Sequence, residues 1–259
     1  MYRLSLILLL LSQCLHLSAS EELSLLGSLK SHDSLTVVSE IDGVITSLGY
    51  DRGEQVSESK SLVQIDSEDY LLMLAKAKAS LALSKADMKA KRARVERYRK
   101  LKAKNSLSQE QLDNAEAEFQ ISAFTVDLQE LAFEDAQLDL QRTIIMPVAD
   151  YWVTEKLIEK GDWVQKGQTL YRLENFNKLE AVVYVTENHI NRIHPGQSVT
   201  IYAEALPSKT FTGEILRVGI KPESSKNSYP IDIIVNNRDG LLRSGFTVDA
   251  RINVNIEQE

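Results

Sequence analysis

The chain has few of the residues that build disulfides and metal centres. Its single cysteine, Cys14, has no partner for an intrachain disulfide and excludes a cysteine-based zinc site. The four histidines are too scattered to suggest a metal centre: His16, His32, His189 and His194. We therefore expect no resident metal and no cofactor, and this composition weakens most enzymatic functions.

Basic residues and long apolar runs are also scarce. The chain of 259 residues has 37 acidic and 30 basic side chains, a formal charge of −7. This charge argues against a nucleic-acid coat, which needs a basic surface. No segment after the first twenty residues is apolar enough to span a bilayer, which takes roughly 20 apolar residues. The 43% of hydrophobic residues nevertheless excludes a disordered or fibrous chain and allows one or two domains with a core.

The first twenty residues have the pattern of a secretory signal peptide. Arg3 precedes the apolar run 4–11, and the stretch ends in small residues at 18–20. A basic start, a short apolar core and small residues predict cleavage after Ser20 and export of the protein. Two alternatives remain: an uncleaved N-terminal anchor, and lipidation at Cys14. Gln13 argues against lipidation, because lipoprotein signals have a small residue there.

Part of the chain repeats at an offset of 108 residues. The segment 42–46 aligns without a gap with 150–154. Four further positions match in the same register: Gly53 with Gly161, Val56 with Val164, Leu62 with Leu170, and Ile65 with Leu173. Each copy predicts a short strand, a glycine turn with positive φ, and a strand pair. The copies differ where Tyr151 replaces Gly43, which leaves the conformation of that turn open.

The segment between the repeats predicts two long helices. Residues 67–104 contain no Gly or Pro, and Asp66 or Ser67 can cap their start. The second helix is predicted from Ser108, whose hydroxyl can cap it, to about Gln141. Both have apolar residues every seven positions, a coiled-coil period: Leu74, Leu81, Met88 and Val95 in the first, and Leu112, Phe119, Val126, Phe133 and Leu140 in the second. The two helices are predicted to form an antiparallel hairpin.

The two predicted helices carry opposite charges. Residues 76–104 have twelve bases against two acids, whereas 105–141 have nine acids and no base. This pattern favours pairing of the two helices with each other over pairing of like helices. The second helix has a further apolar stripe opposite its first: Ala117, Ile121, Phe124, Leu128, Leu131 and Leu138. Either long lysine stems of the first helix cover this stripe, or it meets a neighbouring protomer or a partner's helix.

After 178 the apolar residues alternate with polar ones, and turn residues separate the segments. Examples are the turns at 194–197 and 237–240. Short alternating strands with turns at this spacing are typical of a small closed barrel.

Together these patterns resemble a known family. The repeats resemble the two halves of a biotinyl/lipoyl domain, and their separation by a helical hairpin resembles the periplasmic adaptors, or membrane fusion proteins of the HlyD type. The resemblance implies an elongated fold of mixed α and β class. In that fold, an antiparallel coiled-coil helical hairpin is inserted between two halves of a lipoyl-like β-sandwich, and a small β-barrel follows.

The expected segments are a signal peptide (1–20), an N-terminal strand with the first half (21–66), the hairpin (67–142), the second half (143–175) and the barrel (176–259). The chain ends soon after Val254, so a membrane-proximal domain is expected to be absent or vestigial.

The resemblance is greatest to adaptors of resistance-nodulation-division (RND) pumps. It implies a non-catalytic periplasmic subunit, assembled as a homo-oligomeric ring, that bridges an inner-membrane transporter to a TolC-like outer-membrane channel. Efflux adaptors contact the channel through an Arg-Leu-Ser trio at the hairpin tip, which Arg97, Leu101 and Ser108 match in spacing. The simpler alternative is that Ser108 is only a helix cap and Arg97 one more charge.

Three other functions stay open from the sequence. The first is an adaptor of an ABC-type exporter. The second is a biotinyl or lipoyl carrier subunit, which would need a lysine at an exposed tip between the half-motifs. The third is a periplasmic regulator that binds a substrate or metal, although no cluster of His, Met or Cys supports it.

Overall fold

The computed structural model describes residues 20–223 and 227–255. The predicted signal segment, with Cys14, lies outside these ranges except for Ser20. The described residues form two compact units, one of them Thr36–Leu173 and the other made of the residues before and after it. In this part of the chain, no helix is long and apolar enough to cross a membrane.

Strands and helices follow in this order. The strands are β1 (Ser20–Val38), β2 (Gly43–Leu48), β3 (Val63–Ile65), β4 (Ile144–Ile145), β5 (Trp152–Lys156), β6 (Trp163–Val164), β7 (Thr169–Val185), β8 (Ser198–Ala203), β9 (Thr210–Val218), β10 (Tyr229–Asn236) and β11 (Thr247–Asn255). The helices are α1 (Glu68–Lys102), α2 (Gln109–Arg142) and α3 (Glu187–Ile190). The mixed α and β class, with a helical hairpin between strand-rich segments, is confirmed.

The two repeats form equivalent halves, and each half donates a backbone hydrogen bond to the other at matching positions. The Gly53 amide donates to the Val153 carbonyl, and the Gly161 amide donates to the Ile45 carbonyl, each at 2.9 Å. Both glycines have positive φ, 89° and 96°, as the repeat predicts. The matched apolar positions are all buried: Val56, Val164, Leu62, Leu170, Ile65 and Leu173. The lipoyl-like sandwich is therefore built from two halves related by the repeat.

The halves differ in conformation where they differ in sequence. A Cβ added to Gly43 would lie 2.5 Å from Cγ2 of Ile65, so this position in the first half has no room for a side chain. In the second half the matching residue is Tyr151, and the preceding Asp150 takes a positive φ of 68°. Aspartate tolerates this left-handed conformation better than most residues. The turn at the start of the second half is thus made by a different residue.

The hairpin helices end close to the predicted positions. Ser67 occupies the N-cap position of α1 without a side-chain cap bond, and Oδ1 of Asp66 accepts the Glu68 amide at 3.0 Å instead. The predicted coiled-coil positions face the seam between the helices: Val95, Leu112 and Val126 are buried, and Leu74, Leu81, Met88, Phe119, Phe133 and Leu140 are half-buried. The 3.5-residue period therefore predicted the seam correctly.

The barrel lies in the other unit and is closed by the N-terminal strand. The sheet order is β1-β11-β8-β9-β10-β7, and β1 pairs again with β7. The β1–β11 pairing is antiparallel and places Leu25 opposite Ala250. Alternate residues of β7 point inward and are fully buried, as Leu179, Ala181 and Val183 show. The sequence predicted the barrel after residue 178 but did not assign β1 to it.

A buried carboxylate lies on the outer wall of this barrel. Glu180 lies between the inward-facing Leu179 and Ala181, yet its side chain is only 3% exposed. Lys30 Nζ and an Arg217 amino nitrogen lie 2.9 and 3.1 Å from Oε1, and His32 Nδ1 lies 3.1 Å from Oε2. Burial alone would raise the pKa of Glu180, but the bonds from Lys30 and His32 outweigh it, so the pKa is lowered.

Candidate partner-binding site at the hairpin tip

The hairpin tip is a short loop closed by backbone hydrogen bonds. The Ser106 amide donates to the carbonyl of Leu101 at 3.0 Å, and the Asn105 amide donates to that of Lys102 at 2.9 Å. Asn105 has a φ of 55°, the left-handed conformation in which helices commonly end. The last turn of α1 and the first turn of α2 are therefore held close together.

Two of the three predicted contact residues lie on the last two turns of α1. Arg97 and Leu101 are four residues apart and share one face of the helix. Arg97 is exposed, and the Leu101 side chain is 41% exposed. Among the described residues Arg97 has no ion-pair partner, whereas Arg94 pairs with Glu118 across the hairpin. Arg97 and Leu101 thus form an exposed cation beside an apolar side chain.

Ser108 is the N-cap of α2 and belongs to a capping box. Its Oγ accepts the Gln111 amide at 3.1 Å, and Oε1 of Gln111 accepts the Ser108 amide at 3.2 Å. Ser108 Oγ also lies 3.1 Å from Oε1 of Gln111, to which it donates. The predicted cap is confirmed. The hydroxyl keeps one lone pair for a further hydrogen bond, because its proton and its other lone pair serve Gln111.

Ion pairs across the hairpin support the tip. The distances are 2.7 Å for Lys85–Glu130, 2.8 Å for Arg94–Glu118 and 2.9 Å for Arg99–Glu116. Hydrogen bonding with Tyr98, followed by the Glu118 charge, raises the pKa of Arg94. Such exposed pairs are each worth only about 0.2–1 kcal/mol, so they select the pairing more than they stabilise it. The predicted attraction between the helices is thus present as direct contacts.

The second apolar stripe of α2 is exposed in the chain by itself. Ile121, Phe124, Leu128 and Leu131 are between 62% and 69% exposed, and Leu138 is 44% exposed. Ala117 is exposed as well. The alternative that lysine stems of α1 cover this stripe is therefore wrong, because the stripe faces away from α1. An apolar surface is left for another molecule.

The loop 39–42 holds the root of the hairpin, a feature that sequence reasoning missed. The Tyr70 hydroxyl of α1 donates to the Asp42 carbonyl at 2.7 Å, and Arg142 Nε of α2 donates to Glu40 at 2.7 Å. Burial, followed by the charge of Asp42, raises the pKa of Tyr70. Both helices are thereby fixed to the same loop of the sandwich. No periodic signal in the sequence pairs these residues, because they are 28 and 102 positions apart.

The two half-repeats are joined by the long helical hairpin of α1 and α2 and not by a short turn. Within residues 20–223 and 227–255, no group of three or more His, Cys, Asp or Glu side chains is arranged to hold a metal ion.

Two domain families match this chain. Residues 73–143 match the RND MFP, alpha-helical hairpin domain, and residues 179–252 match the YknX-like beta-barrel domain. The matched segments are the hairpin and most of the barrel.

Curated relatives match most of the chain. It is 27% identical over 250 residues to Multidrug resistance protein MdtA of Pantoea ananatis, which covers 93% of this chain and 61% of the relative. It is 28% identical over 241 residues to the protein of the same name from Klebsiella pneumoniae, covering 90% and 58%. The chain thus spans about three fifths of the length of these curated relatives.

A solved structure shares the fold. It is a MacA-MexA chimeric protein that contains the Pseudomonas aeruginosa MexA alpha-hairpin domain. The alignment has a TM-score of 0.68 at 24% identity and covers 92% of this chain and 81% of that chain. With this shared fold, a hairpin that matches the RND MFP domain and a barrel that matches the YknX-like domain, the chain is similar to membrane fusion proteins over most of its length.

Proposed function

We propose that the protein is a periplasmic adaptor subunit of a tripartite efflux system. It bridges an inner-membrane transporter to a TolC-like outer-membrane channel, and its role is structural rather than catalytic. The observation that carries this proposal is the hairpin tip, where Arg97 and Leu101 are exposed on the last two turns of α1, on either side of the last cross-hairpin ion pair, Arg99–Glu116. The match of the hairpin to the RND MFP domain favours an RND-type transporter over an ABC-type exporter.

The three tip residues offer different chemistry to the channel. The Arg97 guanidinium presents several donors in a planar fork that suits carboxylates and backbone carbonyls. The Leu101 side chain offers a small apolar knob, and the Ser108 hydroxyl has one lone pair left to accept a hydrogen bond. These residues suit a channel surface, formed by a helix end or a loop, that has polar groups around a small apolar depression.

The sequence supports the proposed location, and the exposed stripe on α2 supports the proposed assembly. The N-terminal segment 1–20 has the pattern of an export signal, which takes the protein to the periplasm. The exposed stripe on α2 supports self-association, and a ring of copies would surround the transported molecule.

Cysteine crosslinking in living cells tests the contact with the channel. Arg97→Cys and Ser108→Cys variants of the full chain are treated with a thiol-to-amine crosslinker. The matched controls are Arg92→Cys and Ser80→Cys, which lie exposed on α1 before the tip. We expect an outer-membrane channel protein to be captured from positions 97 and 108 and not from the controls. Capture from neither tip position, or equal capture from the controls, contradicts the proposal.

The mass of the purified mature chain tests the carrier alternative. A biotinyl or lipoyl increment on any lysine would support a carrier subunit, and we expect none.

A further inference from the structure

The positive charge of the hairpin is concentrated at its tip. Residues 68–142 contain thirteen basic and thirteen acidic side chains, so the hairpin as a whole has no net charge. Residues 97–109, here called the tip segment, contain five bases and no acid. The rest of the hairpin, here called the shaft, has eight bases against thirteen acids. The tip segment is therefore a positive pole on a negative shaft, in a chain whose formal charge is −7.

Most of the tip charge is not neutralised within the chain. Arg99 pairs with Glu116 at 2.9 Å. The other four bases of the tip segment form no ion pair among the described residues: Arg97, Lys100, Lys102 and Lys104. Lys100 and Lys104 are exposed, and Lys102 is half-buried. The tip thus presents cationic groups that no acid of the described chain holds in place.

The stability of the helix explains only part of this charge. Arg99, Lys100 and Lys102 lie in the last turn of α1, where bases complement the negative end of the helix dipole. That end corresponds to only about half of one negative charge, and the start of α2 in the same tip adds about half of one positive charge. Arg97 lies before the last turn, and Lys104 lies beyond the end of the helix. Positive charge is therefore left for a partner.

We propose that the channel surface that receives the tip is acidic, and that Lys100 and Lys104 interact with its carboxylates. This inference rests on the proposed function and adds two charges that the trio of Arg97, Leu101 and Ser108 does not contain. Because both lysines are exposed and flexible, they raise the rate of association more than they slow dissociation. The effect weakens with salt, since the Debye length is about 10 Å at 0.1 M and about 3 Å at 1 M.

Association kinetics test this role of the lysines. The channel captured by the Arg97→Cys crosslink is purified and immobilised, and the full chain is passed over it. Lys100→Gln combined with Lys104→Gln should lower the association rate constant about five-fold at 0.1 M salt and change the dissociation rate less than about two-fold. At 1 M salt the variant and the unsubstituted protein should associate at nearly the same rate. Lys100→Arg combined with Lys104→Arg keeps both charges and should keep the rate.

A matched pair of lysines on the shaft controls for the change in net charge. Lys76 and Lys78 are exposed and form no ion pair among the described residues. They lie more than twenty residues of helix before Lys100, roughly 30 Å away and beyond the Debye length at 0.1 M. Lys76→Gln combined with Lys78→Gln should leave the association rate within about 1.5-fold. The far-UV circular dichroism should be the same for both double variants.

Carbodiimide coupling tests the chemistry of the partner surface. This reagent joins a lysine amine to a carboxylate in an amide bond without a spacer, so it links only groups that are in contact. After coupling of the complex, mass spectrometry should find peptides in which Lys100 or Lys104 is linked to an Asp or Glu of the channel. Lys76 and Lys78 should give no link to the channel.

Four results would overturn this inference: an unchanged association rate in the Lys100 and Lys104 double variant, an equal loss in the shaft variant, a loss that persists at 1 M salt, or no amide link to a channel carboxylate. Weaker binding of the tip variant to isolated peptidoglycan, with channel association unchanged, would assign the tip to an anionic polymer and also overturn it. Capture of no channel from positions 97 and 108 rejects the proposed function together with this inference. Capture followed by association that does not depend on salt rejects this inference alone.

Discussion

The barrel and the hairpin place their apolar side chains very differently. The barrel encloses a continuous core in which Leu179, Ile231 and Ile233 are completely buried. The described residues of the hairpin helices bury far fewer apolar side chains, among them Val95 and Val126. Several of the largest hairpin side chains are instead exposed. The barrel therefore satisfies its apolar residues within one chain, whereas the hairpin leaves some for other molecules.

The geometry of each element explains this difference. A closed sheet has an inside, so every second residue of each strand is removed from water. Two helices share only a narrow seam, and a second stripe on either helix faces outward. Small residues in the seam, such as Ser84, Ala115 and Ser122, bring the helices close but bury little area. A hairpin with a wide apolar surface is thus suited to assembly more than to stability.

Truncation of a large apolar side chain to alanine should destabilise the barrel much more than the hairpin, and this is the largest effect that we predict. Ile233→Ala removes a completely buried side chain from the barrel and should cost about 2–5 kcal/mol. Leu131→Ala removes a side chain that is 63% exposed and should cost less than about 0.5 kcal/mol in the isolated chain. Hydrogen exchange measured on peptides of β10 and α2 reports each region separately. A comparable loss of protection in both would contradict the contrast between core and surface.

Glu180 should make the stability of the barrel sensitive to acid. The expected loss of stability on its substitution is smaller than that for Ile233→Ala. Its pKa is lowered in the folded protein from the ordinary value of 4.5, so the ionised form stabilises the fold above that pH. This contribution is lost as the pH falls below 4.5 and through the folded pKa. Glu180→Gln should therefore destabilise the barrel by about 1–3 kcal/mol at neutral pH. The difference from the unsubstituted protein should shrink as the pH falls below 4.5.

A matched variant on the same barrel controls for the loss of charge. Glu214→Gln changes an exposed carboxylate on β9 and should alter stability by less than about 0.5 kcal/mol. Exchange in the barrel strands measured between neutral and acidic pH distinguishes the variants. An equal pH dependence in the Glu180→Gln and unsubstituted proteins would remove Glu180 as the cause.

The features that the sequence predicted well are local or repeated. The positive φ of Gly53 and Gly161 followed from one turn occurring twice, and the seam residues followed from a seven-residue period. The cap at Ser108 needs only its own first turn. Such signals lie within a few residues of each other, or are made visible by comparison of the two copies.

The features that the sequence did not predict depend on contacts between distant residues. Strand β1 pairs with β11, more than 200 residues away, and nothing in either segment identifies the other. Glu180 has the polar character of any outward-facing strand residue, and its burial depends on Lys30 and Arg217 from other strands. The roles of Arg97 and Leu101 remain predictions, because exposure shows that they are available and not what they bind.

Substitutions of Ser108 should have the smallest effect on stability, and they distinguish its role as the cap of α2 from its proposed contact with the channel. Ser108→Ala removes the cap and should cost about 0.5–2 kcal/mol, seen as faster exchange in the first turn of α2, whereas Ser108→Asn should keep the cap. Combined with Arg97→Cys, the Asn variant then reports on the channel contact alone. Capture retained with Asn but reduced with Ala means that Ser108 only shapes the tip. Capture lost with both means that the small hydroxyl itself meets the channel, since the helix start is intact in one of them.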